Sequence, residues 1–262
     1  MKVFFISAVV FLAGIIVVAL GLSRFAAAGE QPMSRDEMVE NKVVGQPVLV
    51  ELFTSEGCSS CPPADRLLTD LKSNENIVTL EFHVDYWDRQ GWKDPFSSPS
   101  FTRRQENYSR ELHLDSTYTP QMIVDGRHEF VGSNRAQAKE TIIKSSADAK
   151  AAIELIATDG KITVKIDNLT SHSDAVVYLA IAESKLSTKV GGGENSGSTL
   201  EHSSVVRTLT SIGLIKKGVS SYTYDQPAAQ NADWKAENIK YVVFVQETSS
   251  LKVLAVKQVA VK

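Results

Sequence analysis

The sequence predicts an α/β layer followed by a smaller all-β, sandwich-like domain, and three observations carry that prediction. An apolar run from Val48 to Thr54 leads into a helix-spaced segment and then a second apolar run, Ile77 to Asp85. Asp125-Gly126 separates two further short runs, the mark of a tight hairpin. Beyond Ala149 the texture changes to short β-branched segments punctuated by Gly, Asn, Asp and Ser. At 262 residues the chain suits two modest domains, expected at 47–148 and 149–262.

The amino terminus reads as a targeting segment. Lys2 precedes an apolar run from Val3 to about Leu22, followed by Ala26-Ala27-Ala28. That order of charged, apolar and small residues is the pattern of a secretory signal peptide spanning residues 1–28. The run is also nearly long enough to cross a bilayer, so an uncleaved N-terminal membrane anchor is the second reading. Either way the chain is expected outside the cytoplasm, periplasmic or secreted, with attachment to the inner membrane under the anchor reading. Residues 29–46 are polar and mixed, and read as a tether.

Each later element follows from a local signal. Pro47 opens a buried strand with one acidic interruption, Glu51. Ser55-Glu56-Gly57 turns the chain into Cys58-Ser59-Ser60-Cys61-Pro62-Pro63, and prolines suit a first helical turn, where backbone N–H groups lack partners. Ala64, Leu67, Leu68 and Leu71 then recur at helical spacing. The stretch from Tyr86 to Ser116 interrupts the pattern as an insertion, helical from Arg103 to Leu112. Strand signals resume at Gln121 to Val124 and at His128 to Val131, and Ser133 is placed to cap a last helix ending near Ser145. In the second half, strands are expected at Ile162 to Ile166, Ala175 to Ala182, Ser203 to Leu209, Tyr241 to Val245 and Val253 to Val261.

The net charge of −3 cannot neutralise phosphates in bulk, so no nucleic-acid partner is expected. Gly191-Gly192-Gly193 lacks the Gly-Lys-Ser/Thr ending of a phosphate loop, and no cofactor is expected. The chemistry falls on its two cysteines, Cys58 and Cys61. A disulfide across two residues closes almost no loop in the unfolded chain, so stabilisation is a poor reason for the pair. Redox or metal chemistry is the better one. At the start of a helix, unpaired N–H groups and the positive dipole end favour a thiolate. Cys58 is then the attacking sulfur and Cys61 the resolving one. A soft-metal site, such as copper, on the same thiols with His83, His113 or His128 is the alternative.

The sequence resembles the thioredoxin superfamily in its strand, its Cys-x-x-Cys at a helix start, and Thr119-Pro120 before Gln121-Met122-Ile123-Val124. The resemblance implies that Pro120 is cis and that Thr119 and Pro120 bind substrate beside the cysteines. It also exposes departures: Gly57 stands where thioredoxins carry tryptophan, and Leu52 where they carry a buried acid. Glu51 is adjacent, but strand alternation points it to the other face.

The chain is also similar to the exported bacterial family catalogued as domain of unknown function twelve-twenty-three. The marks are Glu51 to Asp65, His83-Val84-Asp85-Tyr86-Trp87-Asp88, Gly91 to Phe96, Tyr118 to Met122, Gly193-Glu194-Asn195, His202 and Val205-Val206-Arg207. The expected function is thiol–disulfide oxidoreduction on protein thiols or disulfides, with a non-catalytic binding module as a further alternative. Trp87 and Trp92 are expected either to wall the substrate groove or to pack the insertion onto the sheet. Glu194, Asn195, His202 and Arg207 are expected to be a polar hairpin and a strand charge pair, rather than part of the redox face.

Overall fold

The computed structural model describes residues 45–261 apart from 159, 171, 228–230 and 232. The predicted signal or anchor, and the tether up to residue 44, lie outside the described residues. Among the described residues, no helix is long and apolar enough to cross a membrane.

The fold is mixed α/β, with few helices on a large sheet. The first half runs β1 (Val48–Thr54), α1 (Pro62–Leu71), β2 (Ile77–His83), α2 (Pro99–Glu111), β3 (Gln121–Val124), β4 (His128–Val131) and α3 (Arg135–Ser146). The second half is β5 (Ala152–Thr158), β6 (Lys161–Asp167), β7 (Ala175–Glu183), β8 (Leu186–Lys189), β9 (Thr199–His202), β10 (Val205–Ile215), β11 (Tyr222–Pro227), β12 (Ile239–Glu247) and β13 (Val253–Ala260). Eight strands form one sheet in the order β13-β12-β7-β10-β2-β1-β3-β4, beside a three-stranded sheet β11-β6-β5 and the hairpin β8-β9. Residues 47–148 and 149–262 thus share a sheet, joined where β10 meets β2 in parallel at Val205 and Glu81.

β1 and β2 pair in parallel from Val48–Ile77 to Thr54–His83, and every residue of both is buried. Continuous apolar runs are what a strand covered on both faces requires. Alternation divides them cleanly. Val48, Val50 and Leu52 pack with Leu67, Leu68 and Leu71 of α1, whereas Leu49, Phe53, Leu80 and Phe82 face Phe101 and Tyr108 of α2. Burying each of those α1 leucines is worth about 1.5–3 kcal/mol. Glu51 falls on the α2 face, as alternation predicts. There it accepts a hydrogen bond from Arg104 Nε at 2.7 Å and another from the Tyr108 hydroxyl. A second core lies between the three-stranded sheet and the main one, with Leu155, Ile162 and Val164 against Val177, Tyr241 and Val243.

Several boundaries differ from expectation for local reasons. α2 begins at Pro99 rather than Arg103, because Ser98 caps it by accepting the Ser100 N–H and Pro99 fits its first turn. α3 is capped by Asn134, whose side chain accepts the Gln137 N–H at 3.1 Å, not by Ser133. At the β3–β4 turn Asp125 and Gly126 both have positive φ, as the type I′ geometry needs, and any side chain at Gly126 would collide with the Leu251 carbonyl.

Candidate functional site

β1 ends at Thr54, and the next three residues carry the chain to the cysteines at the start of α1. Cys58 N–H donates to the Ser55 carbonyl at 3.1 Å, and Cys61 N–H to the Cys58 carbonyl at 3.2 Å. Cys61 then caps the helix, with Pro62 and Pro63 in its first turn. The two sulfurs are joined in a disulfide at the positive end of the α1 dipole, and the Ser60 hydroxyl lies 3.4 Å from Cys58 Sγ. The site lies at the carboxyl ends of β1 and β2, where open α/β sheets place their ligands.

Both cysteines are fully buried. The cover is the turn between β8 and β9. Asn195 Nδ2 donates to the Glu56 carbonyl at 2.8 Å and the Cys58 carbonyl at 2.9 Å. Glu194 accepts the Ser59 N–H at 3.0 Å, which holds its carboxyl below the usual range. The glycines before them are needed for closeness. A side chain at Gly191 would strike the Trp92 ring, and one at Gly192 would strike the Gly91 carbonyl. Glu194 and Asn195 therefore lie directly against the cysteine pair, so the polar hairpin expected here reaches that face. Arg207 is not. It pairs with Glu183 at 3.6 Å and lies against the Phe96 and Trp234 rings, as the strand-pair reading held.

The four residues expected to meet substrate fall in one neighbourhood. Trp92 donates its indole N–H to Glu56 at 2.8 Å. Trp87 stands so close to Gly57 that a methyl there would come within 3.2 Å of the Trp87 Cβ. Trp87 Nε1 donates to Thr119 Oγ1 at 2.8 Å, and the Thr119–Pro120 peptide is cis.

Behind the disulfide is a buried polar cluster. In β2, Glu81 and His83 are two residues apart and share the α1 face. His202 reaches them from the end of β9. His83 Nδ1 bonds Asp94 at 2.7 Å and its Nε2 bonds Glu81 Oε1 at 3.2 Å. His202 Nδ1 bonds the same Glu81 oxygen at 2.7 Å and its Nε2 bonds Glu56 at 3.2 Å. Ser203 N–H donates to the other Glu81 oxygen at 3.2 Å.

Burial pulls the His202 pKa down, but the Glu81 charge and the hydrogen bonds its ring makes to the Glu56 and Glu81 carboxylates outweigh it and raise it to about 9. For His83 burial is likewise outweighed, by the Asp94 charge and hydrogen bond, and its pKa stands well above the ordinary value. Nearby Asp65 accepts from the Thr54 hydroxyl at 2.8 Å, and burial followed by the Glu81 charge pushes its pKa up to about 7.

Among the described residues, the group whose ligand atoms converge as a metal would need is Glu81, His83 and His202, without either cysteine. His113 and His128 take no part in it. Read from sequence, His202 goes with a polar hairpin, and no site role falls to Glu56, Asp65 and Asp94, which figure only within the family marks, or to Glu81. Glu81 and His83 inside an otherwise apolar strand were the available signal, since ionisable groups are rarely buried without partners.

Known proteins agree with this architecture without supplying a reaction. A family model described as "Protein of unknown function (DUF1223)" matches residues 49–246. The crystal structure of protein AGR_C_4864 from Agrobacterium tumefaciens is 26% identical with a TM-score of 0.69, over 83% of this chain and 96% of that one. HBP35 of Porphyromonas gingivalis is similar in fold, at 13% identity and a TM-score of 0.59, over 83% of this chain and 76% of its own. No curated protein matches the chain.

Proposed function

The chain belongs to the DUF1223 family, described only as of unknown function, and we propose that it is a thiol–disulfide oxidoreductase working through Cys58 and Cys61 on a thioredoxin-like frame. The observation that carries the reading is the position of the disulfide, at the junction of β1 with the N-terminus of α1. A thiolate formed there is stabilised by the helix end, which makes Cys58 both a good nucleophile and a good leaving group.

In this reading the oxidised pair takes two electrons from a substrate dithiol. A substrate thiolate attacks Cys58 Sγ, and the bond to Cys61 breaks with its electron pair left on Cys61. The second substrate thiolate then attacks the mixed disulfide and releases Cys58 as a thiolate. The substrate leaves as a disulfide, and the two protons its thiols shed balance the two taken up by the cysteine pair. Thr119 and Pro120, with Trp87 and Trp92, form the surface on which the partner protein lies. With both sulfurs buried, the β8–β9 turn must lift before exchange. Export through the N-terminal segment is part of the proposal, because a disulfide persists in an oxidising compartment.

The test is Cys61→Ser in the oxidising compartment. In this variant the Cys58 thiolate can still attack a disulfide in a partner protein, the reverse of the second exchange. With no Cys61 thiol to displace the partner, a mixed disulfide should accumulate and dissolve on adding dithiothreitol. A folded variant that forms no adduct overturns the reading.

A further inference from the structure

We propose that Glu81, His83 and His202 form a binding site for one divalent first-row transition ion, of the zinc type, separate from the cysteine pair. Three features of the buried cluster carry this.

The first is convergence. One ligand atom from each residue, all three buried, lies within 4.8 Å of the other two. Ligands at about 2.0–2.2 Å from a tetrahedral ion stand about 3.3 Å apart. The contacts of Glu81 Oε1 with His202 Nδ1 and His83 Nε2, at 2.7 and 3.2 Å, are near that spacing.

The second is the outer shell. Each histidine turns one nitrogen toward Glu81 and the other to a further buried carboxylate, Asp94 for His83 and Glu56 for His202. Metal-bound histidines are held this way, because a carboxylate on the far nitrogen fixes the ring and its tautomer and raises its basicity. Asp94 is itself fixed by the Glu56 N–H and the Phe96 N–H, and Glu56 by the Trp92 indole.

The third is the donor set. Two nitrogens and one oxygen suit zinc, cobalt or iron better than calcium or magnesium, and a fourth position is left for solvent or a small ligand. The approach is the groove between α1 and β8, lined by Thr69, Lys72, Leu186 and Ser203, which reaches His202.

The test uses the full chain, stripped with a chelator and titrated with Co²⁺ in its oxidised form. One ion per chain is expected, with a d–d spectrum of nitrogen and oxygen ligands and no thiolate charge-transfer band. Binding should persist in the double variant Cys58→Ser/Cys61→Ser and fall at least 100-fold in His202→Ala. Should His202→Ala fail to fold, Glu56→Gln decides: it keeps a partner for the ring but should weaken binding about 10- to 100-fold. No stoichiometric binding by folded wild type at 100 µM Co²⁺, loss of binding with the cysteines, or unchanged affinity in Glu56→Gln each overturns the proposal. The redox reading fails separately, through the absence of a trapped adduct.

Discussion

Removing the Asn195 side chain should make the buried disulfide much easier to reduce. Asn195 Nδ2 donates two hydrogen bonds, to the carbonyls of Glu56 and Cys58, and so ties the β8–β9 turn to the residues at the disulfide. A hydrogen bond of this kind contributes about 0.5–1.5 kcal/mol net, and both carbonyls regain water when the turn lifts. Asn195→Ala should therefore favour the open state by about 2 kcal/mol, which is about 30-fold in its population, at 1.4 kcal/mol per factor of ten. When opening and closing are fast relative to attack, reactivity follows that population.

The assay is reduction of the native protein by excess dithiothreitol, quenched by alkylation at intervals and read by mass. The rate constant should rise by one to two orders of magnitude in Asn195→Ala, at little cost to global stability. Glu194→Gln should do less, because its one bond to Ser59 is exposed. A change below threefold, with the variant folded, would refute the idea that this turn controls access.

Other consequences concern the buried charges. Arg104→Leu should destabilise the protein by about 3–5 kcal/mol in urea unfolding, since it strands the Glu51 carboxylate with no cation in the core. Adding Glu51→Leu should recover much of that loss. Lys93→Ala, which breaks an exposed pair with Asp88, should change stability by less than about 1 kcal/mol. Lys240 gives a pH signature: burial, then the nearby Lys72 charge, lowers its pKa from 10.5 to about 7. Between those values the unfolded chain binds more protons than the folded one, so this residue makes stability rise with pH from about 7 to about 10. Lys240→Met should raise stability at pH 7 and flatten that slope, as followed by urea midpoints at several pH values.

The parts of the fold legible in the sequence are those fixed by nearest neighbours. Proline spacing and the Leu67, Leu68, Leu71 repeat place α1, and Asp125-Gly126 places its hairpin, because each signal acts over a few residues. β5, β8, β9 and β11 were missed. Among the described residues β8 and β9 pair only with each other, and β5 and β11 flank β6 in a small sheet, so their strand character comes from partners rather than composition. Strong apolar runs in both halves were legible, but their union across β2 and β10 was not, since one parallel contact joins segments about 120 residues apart in sequence. The same distance hid the functional cluster. Cys58 and Cys61 are adjacent in sequence and conspicuous, whereas Glu56, Glu81 and His202 meet only after β9 has folded back over α1.

That return of the chain ties the two parts of the site together. One hairpin supplies both Asn195, which closes the disulfide, and His202, which completes the buried cluster. Glu56 stands between them. Its carbonyl accepts from Asn195, one carboxylate oxygen accepts from Trp92 beneath the glycine turn, and the other meets His202. Gly57 alone separates it from Cys58. A movement of the β8–β9 turn that frees the sulfurs therefore removes a bond from the same residue that orients His202. Conversely, whatever fixes His202 against Glu81 and Glu56 anchors the base of the hairpin whose tip is the cover. The cover over the sulfurs and the histidine–carboxylate cluster thus both make direct contact with Glu56.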